Sequence, residues 1–310
     1  MPANMNFKST KDLKIPKELV SQIIEQSNAV KIIKKAAKQK RHVLLIGSPG
    51  TGKSLISQAL AELLPSQKLR DLLSLHNPND ENNPFVKAVP AGKARPLVNK
   101  YRMKAAGSFK NQNIFVFIML ILAVISPWYV RNVYGDIMGA AALIGSMVFF
   151  AAFIIFISLG KRMKAAGGSG MIIPKILVDN SKTKKAPFID GSGAPATALL
   201  GSVLHDPLQS GGLGTPAYER LIPGLIHRAN GGVLHIDEIA SMPLITQQKI
   251  LTALQEKKFP ITGQHEQSSG ASVVSTPAPS DFVLVASGNL ETLKNLHPAL
   301  RSRIRGYGYE

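Results

Sequence analysis

His42-Val-Leu-Leu-Ile-Gly-Ser-Pro-Gly-Thr-Gly-Lys-Ser54 is a short apolar run that ends in a glycine-rich turn. A continuous apolar run of this length before such a turn reads as a strand buried on both faces, as in a parallel sheet. The turn, Gly47, Ser48, Pro49, Gly50, Thr51, Gly52, Lys53 and Ser54, fills every position of the phosphate-cradling pattern G-x-x-x-x-G-K-[S/T]. Its glycines let the backbone curl so that amide hydrogens face an anion, and the helix that follows offers its positive end to the same charge. Lys53 is expected to reach the β- and γ-phosphates of ATP, and Ser54 to hold Mg2+. Leu55 to Leu64 reads as that helix, stopped by Pro65. The expected fold is therefore α/β: a parallel sheet flanked by helices, with the loop at a strand's C-terminal end.

Upstream, Leu19, Ile23, Ile24, Val30, Ile32 and Ile33 recur at roughly helical spacing through residues 15–40. Downstream, residues 66–110 are polar, basic and broken by Pro78, Pro84, Pro90 and Pro96, so a largely irregular stretch with short helical pieces is expected. Two long uncharged runs follow, Ile114 to Val130 and Ile137 to Leu159. As a helix at about 1.5 Å per residue, the second reaches across a hydrocarbon core of about 30 Å. The first is shorter and can be extended by Asn111 to Asn113. Trp128, Tyr129 and Tyr134 cluster near the short connector Arg131 to Asp136, as interfacial aromatics do.

Charge supports a membrane hairpin. The chain has 310 residues and a net charge of +18. Lys87, Lys93, Arg95, Lys100, Arg102, Lys104 and Lys110 precede the apolar region, and Lys161, Arg162, Lys164, Lys175, Lys182, Lys184 and Lys185 follow it. This is the positive-inside pattern of a hairpin with both ends in the cytoplasm. A lipid bilayer accounts for the basic balance better than a nucleic-acid surface does. Arg102-Met-Lys-Ala-Ala-Gly107 and Arg162-Met-Lys-Ala-Ala-Gly167 bracket the hairpin as matched collars. No cysteine is present, which excludes disulfides, thiolate metal sites and cysteine nucleophiles. His205, His227, His235, His265 and His297 lack metal-ligand spacing and read as structural or surface residues.

Further along, Val233-Leu-His-Ile-Asp-Glu238 is a strand ending in two carboxylates. Asp237 is expected to hold Mg2+, directly or through water, and Glu238 to orient and activate the attacking water. Val283-Leu-Val-Ala-Ser-Gly-Asn289 is a third strand ending in a polar group, with Asn289 expected at the γ-phosphate or the water. Phe259 to Val274 reads as a hairpin. After a short helix from Pro298, Arg303 is the first choice for an arginine that reaches a neighbouring subunit's γ-phosphate, with Arg301 and Arg305 as rivals.

The ordered set Gly47–Ser54, Asp237-Glu238, Asn289 and Arg303 resembles an AAA+ ATPase. Three stretches, Asp206 to Pro216, Gln255 to Gln264 and His297 to Glu310, are similar to archaeal membrane-bound Lon protease of the LonB type. The resemblance covers essentially the whole chain. It implies an ATPase module interrupted by a two-helix transmembrane anchor between its first and second nucleotide motifs. It also implies a hexameric ring at the cell membrane, its ATPase facing the cytoplasm, that unfolds protein substrates and feeds them to a Ser-Lys peptidase. The corresponding division is residues 1–110 as the first part of the AAA+ domain, 111–160 as the hairpin (helices at about 114–130 and 137–159) and 161–310 as the second part. The chain stops at Glu310, before the family's helical lid and peptidase domain, and no serine here matches the peptidase motif. A stand-alone remodelling ATPase, or an inactive nucleotide-binding subunit, is the alternative. A DNA-working ATPase is disfavoured by the hairpin. Tyr218 is the candidate for an aromatic that grips substrate in the pore, with a buried structural tyrosine as the other reading.

Overall fold

The computed structural model describes residues 16–48, 50–65, 69–166, 172–205, 215–263 and 273–308. They form two units: residues 16–94, 176–205 and 217–308 in one, residues 95–175 and 215–216 in the other.

The first unit is built on strand β1 (Val43–Ile46). Helix α1 (Ser27–Gln39) precedes it and helix α2 (Lys53–Leu63) follows. Strand β2 (Arg70–Leu75) pairs antiparallel with β3 (Phe85–Pro90). The chain then leaves through α3 (Ala94–Tyr134), returns along α4 (Asp136–Ala166), and re-enters at β4 (Lys175–Val178), which completes a three-stranded sheet of order β3-β2-β4. Strand β5 (Phe188–Asp190), α5 (Ala196–Leu200), the antiparallel pair β6 (Gly201–Val203) and β7 (Leu221–Pro223), and the short helices α6 (Ala217–Arg220) and α7 (Leu225–Arg228) lead to β8 (Val233–Ile236). Helix α8 (Leu244–Glu256), the pair β9 (Lys258–Phe259) and β10 (Ala278–Pro279), strand β11 (Val283–Gly288), α9 (Thr292–Asn295), α10 (Pro298–Arg303) and β12 (Arg305–Gly308) complete the chain.

Five of these strands form one sheet in the order β12-β1-β11-β8-β5, every pair parallel. Strand side chains alternate between faces, which sorts the core. Val43 and Leu45, with Val233, Val283 and Val285, meet Ile33 of α1 and Ile56 and Leu60 of α2. Leu44 and Ile46, with Leu234, Ile236, Leu284 and Ala286, meet Leu199, Ile226, Ile250 and Leu300 on the other face. Burial on both faces is why the strands read as unbroken apolar runs. Each large side chain so buried contributes about 1.5–3 kcal/mol relative to exposure.

Residues 15–40 do not form one helix. A 3-10 turn at Leu19–Gln22 precedes α1, and the chain bends between them at Glu25, which has a φ of 61°. Nor is the stretch 66–110 irregular. Its β2 and β3 strands are six residues each, with Asp71 to Ser74 buried. The prolines misled because each sits where the missing N–H costs little. Pro78 and Pro84 lie between the strands, Pro90 ends β3, and Pro96 lies in the first turn of α3. The hairpin expected over 259–274 is present and longer. Beyond the β9–β10 pair, Ser275 donates to Ile261, Gly263 donates to Val273, and Thr262 bridges Val274. Its tip, residues 264–272, lies outside the described residues, as do Pro49 and 206–214.

The excursion starts and ends on one carboxylate. Asp71 is fully buried on β2. Its Oδ2 accepts from the amides of Gly92 (2.8 Å) and Ala94 (3.2 Å), where the chain departs, and its Oδ1 accepts from Asn180 (2.8 Å), just past β4, where it has returned. Asn180 Nδ2 donates back to the Arg70 carbonyl at 2.8 Å.

In the second unit, α3 has 41 residues and α4 has 31, so both helices outrun the apolar runs 114–130 and 137–159 that they contain. Only Gly135, with a φ of 88°, separates them, and Arg131 Nε meets Asp136 Oδ1 at 2.7 Å across the turn. A Cβ at Gly139 would come within 2.7 Å of Arg131 Cβ, so a larger residue there would push the helices apart. Val116–Tyr134 and Asp136–Leu159 are long and apolar enough to cross a membrane, with mean hydropathies of 1.8 and 2.6 and almost none of their length buried.

Two outcomes are expected. Asp71→Ala strands three amides, two of them buried, and should cost about 3 kcal/mol or more in urea unfolding, whereas a loss below about 0.5 kcal/mol would contradict the closure. The second concerns acid. His227 is fully buried; its Nδ1 accepts from Gly224 (3.1 Å), so Nε2 carries the proton donated to the Phe259 carbonyl (3.0 Å). Burial pushes its pKa down from 6.5 to about 4, against the bond to Phe259. The unfolded chain thus binds a proton that the folded chain refuses. The contribution is full above pH 6.5 and is lost as pH falls through the window down to about 4, amounting to about 3 kcal/mol. Burial lowers His42 and His235 in the same direction. The urea midpoint should fall between pH 7 and 4.5, and less steeply in His227→Gln.

Candidate functional site

Strands β1 and β11 end level, and β8 ends two residues short of them. Ile46 pairs with Gly288, and Ala286 pairs with Ile236. The residues just past β1, β11 and β8 are therefore neighbours along one sheet edge, and they are Gly47 onward, Asn289, and Asp237-Glu238.

At β1 the turn is shaped by its own bonds. Gly50 and Gly52 adopt φ of 83° and 81°, a region that disfavours any Cβ. Gly47 N donates to the Gly288 carbonyl at 3.2 Å, and Thr51 Oγ1 to Ser48 at 2.9 Å. Lys53 Nζ lies over the loop and donates to the carbonyls of Gly47 (2.8 Å) and Ser48 (3.0 Å). Lys53 opens α2 with Gly52 as its N-cap and no side-chain cap, so the first amides of that helix have no partner within it. Gln26, at the start of α1, donates from Nε2 to the Thr51 carbonyl at 2.7 Å.

At β8, Asp237 is held by both neighbouring strands. Its Oδ1 accepts from Ser287 Oγ on β11, and its amide donates to Ser192 Oγ, just past β5, at 2.9 Å. Ser192 Oγ in turn donates to Asp190 at 2.6 Å. Burial pushes the Asp190 carboxyl up, but the Ser192 hydroxyl and amide and nearby His235 outweigh it, leaving its pKa below the usual carboxylate value. Glu238 is exposed and left-handed, with φ 48° and ψ 47°. A non-glycine residue there carries backbone strain, a feature that clusters at working sites. The Ser241 amide and hydroxyl both hold the Glu238 carbonyl at 2.8 Å.

His235 connects this strand to the loop's helix. Its Nδ1 lies 3.2 Å from the Val285 carbonyl, which only accepts, so Nδ1 carries the proton. The same nitrogen lies 3.1 Å from Ser57 Oγ, whose own hydrogen goes to the Lys53 carbonyl at 2.9 Å. Burial pushes the His235 pKa below 6.5.

Asn289 Oδ1 accepts from the Thr292 amide (3.0 Å) and hydroxyl (3.2 Å), so its carboxamide is tied to the first residue of α9 as well as standing at the edge. Arg303 is not on this edge. It ends α10, two residues before Arg305, which pairs with Val43 at the opposite end of β1, and its charge is felt by His42 there. Strand β1 spans about 13 Å, which keeps Arg303 off its own chain's loop. The side chain of Arg305 lies outside the described set. Tyr218 is buried against His76 and donates to Glu219 at 2.9 Å; burial and that carboxylate raise its pKa. It is the structural tyrosine, not an exposed gripping one. No group of histidine and carboxylate residues suited to a metal occurs among the described residues. The oxygen donors Ser54 and Asp237 are of the kind magnesium takes alongside phosphate and water. Sequence reasoning missed Gln26, Asp190, Ser192 and Ser287; none belongs to a pattern, since each acts through strand pairing or loop geometry.

Comparison with known proteins follows the same division. The magnesium chelatase subunit ChlI family model matches residues 19–100, and the Sigma-54 interaction domain model matches residues 164–285. An archaeal Lon protease from Thermococcus kodakarensis is 52% identical over 99% of this chain, and one from Archaeoglobus fulgidus is 51% identical over 99%. This chain covers 46% and 47% of those two proteins, so it spans about half the length of the curated relatives it matches. Among solved structures, a magnesium chelatase complex of subunits BchI and BchD overlaps 94% of this chain and 60% of its own at 20% identity and a TM-score of 0.45, too loose to carry an argument. The chain is similar along essentially its whole length to archaeal Lon proteases, and it carries two apolar helices long enough to span a membrane.

Proposed function

We propose that this chain binds and hydrolyses ATP as the motor portion of a membrane-anchored Lon-type protease, unfolding protein substrates and passing them to a peptidase. The observation that carries the reading is the common edge of β1, β11 and β8, where Gly47–Ser54, Asn289 and Asp237-Glu238 stand side by side. The triphosphate lies on the backbone N–H groups of the Gly47–Ser54 loop, to which Pro49 contributes no donor, and on the N-terminus of α2. Lys53 exchanges its loop carbonyls for the β- and γ-phosphates. Ser54 and Asp237 would hold magnesium, which would supply charge neutralisation at those phosphates. Glu238 takes a proton from water as the water oxygen bonds to the γ-phosphorus. The bond from that phosphorus to the β-phosphate oxygen breaks, and ADP and phosphate leave. Asn289 steadies the γ-phosphate or the water.

Arg303 stands away from its own loop, which fits an arginine offered to a neighbour in a ring of six. Tyr218 is buried, so the substrate-gripping residue is another. Helices α3 and α4 cross the bilayer, with the ATPase domain in the cytoplasm. Their exposed apolar side chains and the basic residues at the outer ends support this placement.

Glu238→Gln should bind ATP within about threefold of the parent but turn it over at least about a hundredfold more slowly, while Lys53→Ala should lose binding. Normal turnover by Glu238→Gln contradicts the assignment. Because the chain has no cysteine, single introduced cysteines report topology. In intact cells an impermeant maleimide should label Val133→Cys and not Lys87→Cys, and the reverse pattern would overturn the orientation.

A further inference from the structure

Gln247 is fully buried on α8, and both ends of its carboxamide are used. Its Nε2 donates to the Met242 carbonyl at 2.9 Å, at the end of the 3-10 turn that starts from Glu238. Its Oε1 accepts from the His297 amide at 2.9 Å. A carbonyl on one side and an N–H on the other dictate which way the amide points. His297 is the N-cap of α10, accepting from Ala299 through Nδ1 at 3.3 Å, with Gln248 Nε2 at 3.2 Å from its Nε2. One buried side chain thus bridges the turn that holds Glu238 to the helix that carries Arg301 and Arg303. None of the residues read from sequence motifs makes this connection.

We infer that Gln247 is a positioning residue that couples the Glu238 turn to α10, so that ATP bound at one chain's loop resets the helix whose arginine that chain offers to its neighbour. The inference rests on the nucleotide reading above. The geometry suits the task because Glu238 sits in a strained left-handed conformation, and any change there passes through Ile239–Ser241 to Met242. The hydrogen bond on each side of Gln247 transmits such a shift, since breaking either leaves one end of its buried carboxamide unpaired.

The test is hydrogen exchange on the full chain in lipid nanodiscs, in a Glu238→Gln background that retains ATP, with and without ATP and magnesium. Adding nucleotide should slow exchange in residues 43–57 and, by about threefold or more, in residues 297–304. With Gln247→Met added, 43–57 should still respond and 297–304 should not. Gln247→Glu keeps the acceptor for His297 and loses the donor to Met242, so it should lose the α10 response as well. It decides the matter if the methionine variant does not fold. A merely structural role would raise α10 exchange with and without ATP and leave the difference between them intact. That result overturns the inference, as does an α10 that ignores ATP in the parent. No response at 43–57 in the parent would instead sink the nucleotide reading, and the coupling with it.

Discussion

The site depends on the register between β1, β11 and β8. Each strand is buried on both faces, so none of its interior side chains can reach solvent or a ligand. Chemistry is confined to the edge where the strands end. The pairings Ile46 with Gly288 and Ala286 with Ile236 bring those ends to within two residues of one level. A slip of one residue would turn Leu44, Leu234 and Leu284 to the wrong face, and it would also separate Asp237 from Ser287. Packing and function are specified by the same alignment.

The second constraint is closure. More than eighty residues leave the first unit after Ala94 and return before Ile176. A parallel sheet whose first strand precedes that departure and whose remaining strands follow it needs the two ends held together. Asp71 does this from one buried carboxylate that accepts from both sides of the gap. The excursion can then be long and apolar without disturbing the order β12-β1-β11-β8-β5.

The glycine-rich loop, the Asp237-Glu238 strand end and the Asn289 strand end were legible because each is a local pattern of strand followed by turn. The two apolar helices were legible from length and charge alone, although their true ends at Ala94 and Ala166 lie well outside the uncharged runs, since basic and polar residues continue a helix once it has started. The β2–β3 pair was missed because proline frequency suggests an irregular stretch, and only the structure shows that each of these prolines lies at an end or a connection. The partners of the site were not legible either. Ser192, Ser287 and Gln247 are common residues in unremarkable stretches, and they matter because strand pairing and helix packing bring them to Asp237, Met242 and His297. The left-handed Glu238 has no signature, as glutamate is not a residue from which a positive φ is inferred. For Tyr218 the sequence left two readings open, and the structure gives the buried one, with the ring beside His76.

The most direct measurement is a calorimetric titration of ATP into the full chain, with and without magnesium, repeated on Asp237→Ala. The account expects one ATP per chain, tightened by magnesium in the parent and indifferent to magnesium in the variant. No binding, or a magnesium effect that survives loss of Asp237, would contradict the claim that the aligned strand ends form the nucleotide site.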